Sequence, residues 1–190
     1  MPLNWPNLLT WLRIWMIPAV VGVFYLPLSV INTIEQNFIG TALFIAAAAT
    51  DWLDGYLARR LNQQSAFGAF LDPVADKLMV AASLIVLVQL GRLNGMVAII
   101  IIGREIGVSA LREWMARVGK SGSVAVNYLG KIKTTAQMVA IPMLLFDQAL
   151  LGISMSTVGT WLIFLAALLT VISMFYYLKV ASADSVPLRN

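Results

Sequence analysis

The chain contains no cysteine and no histidine, and only 12% of its 190 residues carry charge. Without cysteine there is no disulfide, no thiol nucleophile and no thiolate zinc site, and the redox compartment leaves no mark. Without histidine there is no Ser-His-Asp or Cys-His catalysis and no imidazole ligand. A bound metal must therefore rest on carboxylates, carbonyls or water, which suits Mg²⁺, Mn²⁺ or Ca²⁺. The shortage of charge excludes a water-facing surface, because soluble domains carry about 25% charged residues.

In place of charge the chain has apolar mass, with 60% hydrophobic residues and a mean hydropathy of +0.84. Continuous apolar runs predict six spans, at about residues 8–28, 37–60, 70–90, 94–115, 131–150 and 156–179. Spans of about 20 residues suit transmembrane helices, whereas a membrane barrel needs alternating strands of about 10 residues. The expected fold is thus an all-α integral membrane protein of six transmembrane helices, forming one domain over residues 1–190, with no internal repeat. The opening residues lack the basic segment and cleavage site of a signal peptide, and Asn7 after Pro6 is a candidate cap for the first helix.

Lys and Arg set the orientation. Arg59, Arg60, Arg112, Arg117, Lys120, Lys131, Lys133, Lys179 and Arg189 flank one set of span ends, and Arg92 stands alone at the other beside Glu35 and Asp147. This asymmetry predicts that both termini and the loops 60–70 and 116–131 face the cytoplasm. The net charge of +4 then reads as basic loops beside anionic membrane lipids, with no nucleic acid partner.

Four carboxylates break the apolar pattern. Asp51, Asp54, Asp72 and Asp76 lie across the end of the second span, a short loop and the start of the third. An intramembrane carboxylate costs at least about 2.5–3.5 kcal/mol at mid-helix on insertion scales. At about 100° per residue Asp51, Asp54 and Ala58 share one helix face, and Asp72 and Asp76 share another. A short connection makes the two helices antiparallel neighbours, so the pairs converge just inside the cytoplasmic boundary. Four such groups stay ionised together only with compensating cations. Two divalent ions about 3.5–4 Å apart would supply that charge and a clamp for phosphoryl transfer. The plainer alternative, helix-end caps and salt bridges with Arg59, Arg60 and Lys77, suits a lone aspartate better than four so spaced.

The stretch 51–76 matches every fixed position of the pattern D-x2-D-G-x2-A-R-x8-G-x3-D-x3-D, with Asp51, Asp54, Gly55, Ala58, Arg59, Gly68, Asp72 and Asp76. It resembles the signature of the CDP-alcohol phosphotransferases. PNLLTWLR near the start, GREIGVSALREWMARVGK in span four and GKIKTTAQMVA in span five extend the resemblance, to bacterial members, along nearly the whole chain. The resemblance implies that Asp51, Asp54 and Asp72 are metal ligands and that Asp76 lies near the metals and is the general base, with Mg²⁺ or Mn²⁺ as cofactor, two ions per site. It implies that Gly55, Ala58 and Gly68 admit CDP-diacylglycerol against bare helix backbone, that Arg59 holds its diphosphate and that Ser65 reaches the nucleotide. It further implies transfer of a phosphatidyl group to sn-glycerol 3-phosphate, a homodimer, and a bacterial inner membrane with the site facing the cytoplasm.

A second polar set lies further on. Arg104, Glu105, Ser109 and Arg112 fall within a sector of about 140° on span four. Lys133 and Gln137 share a face of span five. With the resemblance, Arg104, Arg112 and Lys133 read as a pocket for the phosphate of the acceptor. The alternative is snorkelling to lipid phosphates, which fits Arg117, Lys120 and Lys131. Glu105 is the nearest partner for Arg104 in sequence, although adjacent helix residues point apart. Two other functions compete: the same chemistry on inositol phosphate, serine or a lipid, and a cation or phosphate transporter, which would tend to show inverted repeats.

Overall fold

The computed structural model describes the backbone over residues 5–61, 66–117 and 128–183, and side chains over 10–51, 70–115 and 132–175 together with Leu53, Gly68, Arg117 and Gly130. Six helices follow in order: α1 (Trp5–Val23), α2 (Thr33–Leu61), α3 (Ala66–Gln89), α4 (Gly95–Arg117), α5 (Tyr128–Phe146) and α6 (Met155–Ala183). Each falls on one of the six apolar runs. Their boundaries follow local chemistry. Asn32 and Glu35 form a reciprocal capping box at the start of α2, each side chain accepting from the other's backbone N–H at 2.9–3.0 Å, which satisfies two orphan donors. Helix α3 ends in a Schellman turn, where Gly91 at φ 71° lets its own N–H reach Val88 O and the Arg92 N–H reach Leu87 O. Asn94 then caps α4 through the Met96 N–H at 2.8 Å.

Of the boundaries that differ from expectation, three have an evident local cause. Helix α1 is already formed at Trp5, so Asn7 lies inside it; Pro6 sits in the first turn, where its missing N–H costs nothing. Helix α1 also stops at Val23 rather than running to 28, because Pro27 disfavours helical backbone in the residue before it. Helix α5 stops at Phe146, and the apolar residues after it form a small antiparallel ribbon of β1 (Ala149–Leu150) and β2 (Ile153–Ser154). Leu151 and Gly152, both at positive φ, make its two-residue loop. A short apolar run has no period to separate strand from helix.

Helix α1 packs on α2 and α3, α6 packs on α4 and α5, and the contacts of α2 with α5 and α3 with α4 join the two groups. The buried core runs between them through Phe44, Leu84, Leu87, Ile101, Ile141, Leu144 and Ile163. The outer surface is apolar as well: Trp15, Ile34, Phe38, Ile85, Ile99, Ile106, Trp161, Leu168 and Phe175 are all exposed. Among the described residues Met155–Phe175 alone is both long and apolar enough to cross a membrane on its own composition, with Thr10–Val23 and Ile132–Phe146 as shorter apolar segments. The middle helices fall short because charged side chains interrupt them.

One of those charges fastens the α3–α4 turn. Arg92 lies against the C-terminal end of α5, where Nη1 donates to the carbonyls of Leu145 at 2.8 Å and Leu144 at 3.3 Å. Its Nη2 donates to Asn37 Oδ1 at 2.8 Å, and its Nε pairs with Asp147 Oδ2 at 3.1 Å. The helix-end carbonyls that lack an internal donor thereby gain a cation, as the helix dipole favours.

Candidate functional site

Asp51 and Asp72 meet the same face of α1. Thr10 and Arg13 stand one turn apart on that helix, and both are buried, with 2% and 1% of their surface exposed. Thr10 Oγ1 donates to Asp72 Oδ1 on α3 at 2.6 Å. Arg13 Nη1 lies 2.7 Å from Asp51 Oδ1 on α2. One helix turn therefore touches the two aspartate-bearing helices at once. Asp76, a turn beyond Asp72, shares a small cavity with Arg13, Phe44, Ala47, Met79 and Met138. Gly68 is buried near the start of α3.

The other signature positions lie outside the described side chains. Asp54, Gly55, Ala58 and Arg59 are in α2, and Ser65 belongs to the segment outside the described backbone. Among the described residues no three acidic side chains close into a ligand set for a metal; Asp54 is not among them. The donor chemistry nevertheless fits a hard divalent cation, since the acids gathered around α1 offer carboxylate oxygens and the chain has no softer ligand.

The second polar set forms a seam between α4, α5 and α6. Lys133 is 1% exposed and Arg104 is 7% exposed, and both make ion pairs to the same atom, Glu105 Oε1, the Arg104 contact being 3.6 Å. Adjacent residues on a helix point apart, yet the reach of an arginine side chain brings Arg104 back to Glu105, contrary to the geometric expectation. Arg104 Nη2 also donates to Ser173 Oγ at 3.0 Å, and Ser173 Oγ in turn donates a hydrogen bond to Thr170 O. Gln137, a turn beyond Lys133, is 4% exposed, and its Oε1 has no hydrogen-bond partner among the described residues. Ser109 turns back onto its own helix, donating to Glu105 O. Arg112 lies exposed about two turns beyond Arg104, and Arg117 makes an exposed ion pair with Glu113 at 2.5 Å.

Of the residues the sequence grouped, the structure brings Arg104 and Lys133 together on Glu105, and it sets Asp51 and Asp72 each against α1, a neighbour the sequence reading did not name. That reading assigned no role to Thr10, Arg13, Ser173 or Thr170. One signal for Arg13 was present: it is the only charged residue before Glu35, and an arginine in an apolar helix requires a partner.

An apolar bundle of helices, with carboxylates of α2 and α3 set against α1 and buried cations on α4 and α5, has the parts of an all-helical phosphotransferase. The CDP-alcohol phosphatidyltransferase family model matches residues 3–172, and the chain belongs to that family. It is 48% identical over 186 residues to proteins named CDP-diacylglycerol–glycerol-3-phosphate 3-phosphatidyltransferase from Escherichia coli (strain K12) and Shigella flexneri serotype 5b (strain 8401). The similarity covers 97% of this chain and 98% of each relative.

Proposed function

We propose that this chain transfers the phosphatidyl group of CDP-diacylglycerol to sn-glycerol 3-phosphate, giving phosphatidylglycerol phosphate and CMP. The observation that carries this reading is the complete eight-position signature on α2 and α3, in a chain similar end to end to relatives named for that reaction. The glycerol 1-hydroxyl oxygen attacks the phosphorus bearing the diacylglycerol, the bond from that phosphorus to the CMP oxygen breaks, and Asp76 takes the hydroxyl proton. Arg59 and Ser65 hold the nucleotide end, with Gly55, Ala58 and Gly68 giving it room. Arg104, Arg112 and Lys133 hold the acceptor phosphate. Asp51, Asp54, Asp72 and Asp76 are the residues that would hold Mg²⁺ or Mn²⁺, and the cation's contribution is to offset charge on the diphosphate and leaving group.

In this reading all six helices span a bacterial inner membrane, both termini are cytoplasmic and the site opens to the cytoplasm, where one substrate is a lipid and the other is soluble. The apolar exterior and the Lys/Arg asymmetry support this arrangement. Buried charge at Arg13, Arg104 and Lys133 is what spans dedicated to function carry. A homodimer rests on the family resemblance.

The test of the reaction is CMP release from CDP-diacylglycerol by purified protein in detergent, with glycerol 3-phosphate, serine and inositol phosphate as acceptors. Release confined to glycerol 3-phosphate is the expected outcome. Release with serine or inositol phosphate and none with glycerol 3-phosphate would assign another acceptor. For orientation, single cysteines replacing Ser121 and Asn94 should label from opposite sides of the membrane, and labelling from one side rejects the six-span arrangement.

A further inference from the structure

We propose that Thr10 and Arg13 are a positioning pair that sets the orientation of Asp72 and Asp51 for a divalent cation. The inference rests on the metal reading above and goes beyond it by assigning the first helix a part in the site. Three observations carry it. The two residues are a turn apart on α1, and each reaches a different aspartate-bearing helix, at 2.6 Å to Asp72 and 2.7 Å to Asp51. Thr10 and Arg13 are almost wholly buried, so the α1 side of each contact is fixed by packing, while Asp51 is 45% exposed and Asp72 half-buried, open on the side away from α1. Each contact engages one carboxylate oxygen, Oδ1, so neither contact uses the Oδ2 of that carboxylate.

The physics separates two parts. Thr10 is β-branched and stiff at χ1, so its hydroxyl fixes the rotation of the Asp72 carboxylate as a ligand's second hydrogen bond does in metal sites. Arg13 holds the charge of a planar guanidinium against Asp51 Oδ1 at ion-pair distance, with no directed hydrogen bond from Nη1 among the described residues. It also lines the cavity into which Asp76 faces, so a single guanidinium borders two of the acids. Small losses of ligand orientation cost metal affinity about 10–100-fold in other sites.

The test is direct titration of Mn²⁺ into purified, substrate-free protein in detergent, read by the electron paramagnetic resonance of free Mn²⁺, with metal-free melting measured in parallel. Thr10→Val keeps shape and burial and removes the hydrogen bond; it should weaken Mn²⁺ binding about tenfold. Thr10→Ser restores the hydroxyl and should recover most of that affinity. Arg13→Lys keeps the charge but loses the planar fork, and it should weaken binding by a similar factor. A Thr10→Val protein that melts lower while its Mn²⁺ titration overlays the wild type overturns the proposal, because a merely structural contact predicts that pattern. Wild-type protein that takes up no Mn²⁺ overturns the metal reading itself, a different result from variants that bind as well as wild type. Should Arg13→Lys not fold, the Thr10 pair of variants decides the question alone.

Discussion

Arg92 and the Arg104–Lys133 pair are both buried basic groups in an apolar bundle, and they distribute their charge in opposite ways. Arg92 has a guanidinium whose donors go to two helix-end carbonyls, an amide oxygen and the carboxylate of Asp147. All three of its nitrogens are engaged by the fold, and its one charge meets the carboxylate of Asp147. Arg104 and Lys133 bring two positive charges to a single oxygen of Glu105. The first arrangement ties the α3–α4 turn to the end of α5. The second sets two cations on one shared carboxylate oxygen in a place with little water, an arrangement suited to receiving an anion. The two differ in how many cations share a carboxylate, and that difference is open to test.

The widest separation between the two ends lies in their carboxylates. Asp72→Asn should lower turnover by about a thousandfold or more, since it removes a charge from the reacting centre, and a chelator should abolish activity until Mg²⁺ or Mn²⁺ is returned. Asp147→Asn, at the Arg92 end, should leave the turnover of folded protein unchanged. Rates of CMP release for the two variants, each normalised to folded protein, check the contrast, and equal losses would erase it.

Arg92→Ala sharpens the comparison from the side of stability. It leaves two carbonyls and Asp147 without their donor, and breaking such a pair costs about 3 kcal/mol. Melting in detergent should fall accordingly, while the apparent affinity for glycerol 3-phosphate stays at the wild-type value. A shift in acceptor affinity would mean that this end communicates with the site.

The sequence showed the helices and the acids more readily than their partners. Six apolar runs separated by Pro, Gly, Asn and Asp were sufficient for six helices, because each break carries chemistry that stops a helix. The signature aspartates stood out as carboxylates placed where apolar residues belong. Thr10 and Arg13 did not stand out, since their function lies in what they touch on α2 and α3, 38 and 62 residues away, and helical periodicity speaks only of neighbours on one helix. Glu105 is similar. Its place between Arg104 and Lys133 depends on how α4 and α5 pack, 28 residues apart in sequence. The ribbon after α5 escaped notice for another reason, that composition alone does not give a two-residue strand.

Lys133→Ala tests whether this cluster binds the acceptor. A hydrogen bond to a charged group contributes about 1.5–3 kcal/mol, so the apparent affinity for glycerol 3-phosphate should fall roughly 10- to 100-fold, with the CDP-diacylglycerol dependence retained. Measuring the two substrate dependences separately checks this. An unchanged acceptor dependence would make Lys133 a buried structural charge of the Arg92 kind.

The smallest effect is the most discriminating, because its direction differs between the two kinds of cluster. Glu105 holds the two cations that the acceptor phosphate would use, so it competes with the substrate for them and repels it. Glu105→Gln keeps an oxygen in the same place to accept from Lys133, so the geometry of the seam persists while its negative charge is removed. In an anion site that change should tighten glycerol 3-phosphate by about three- to tenfold, a fraction of the worth of one charged hydrogen bond. It should also lower stability, since Arg104 and Lys133 then lose the carboxylate they share. A structural cluster predicts only the second effect, with acceptor affinity unchanged or worse. Acceptor titrations and metal-free melting of the same Glu105→Gln preparation therefore separate the two. Tighter binding joined to lower melting marks a site in which Glu105 holds the cations until the phosphate arrives.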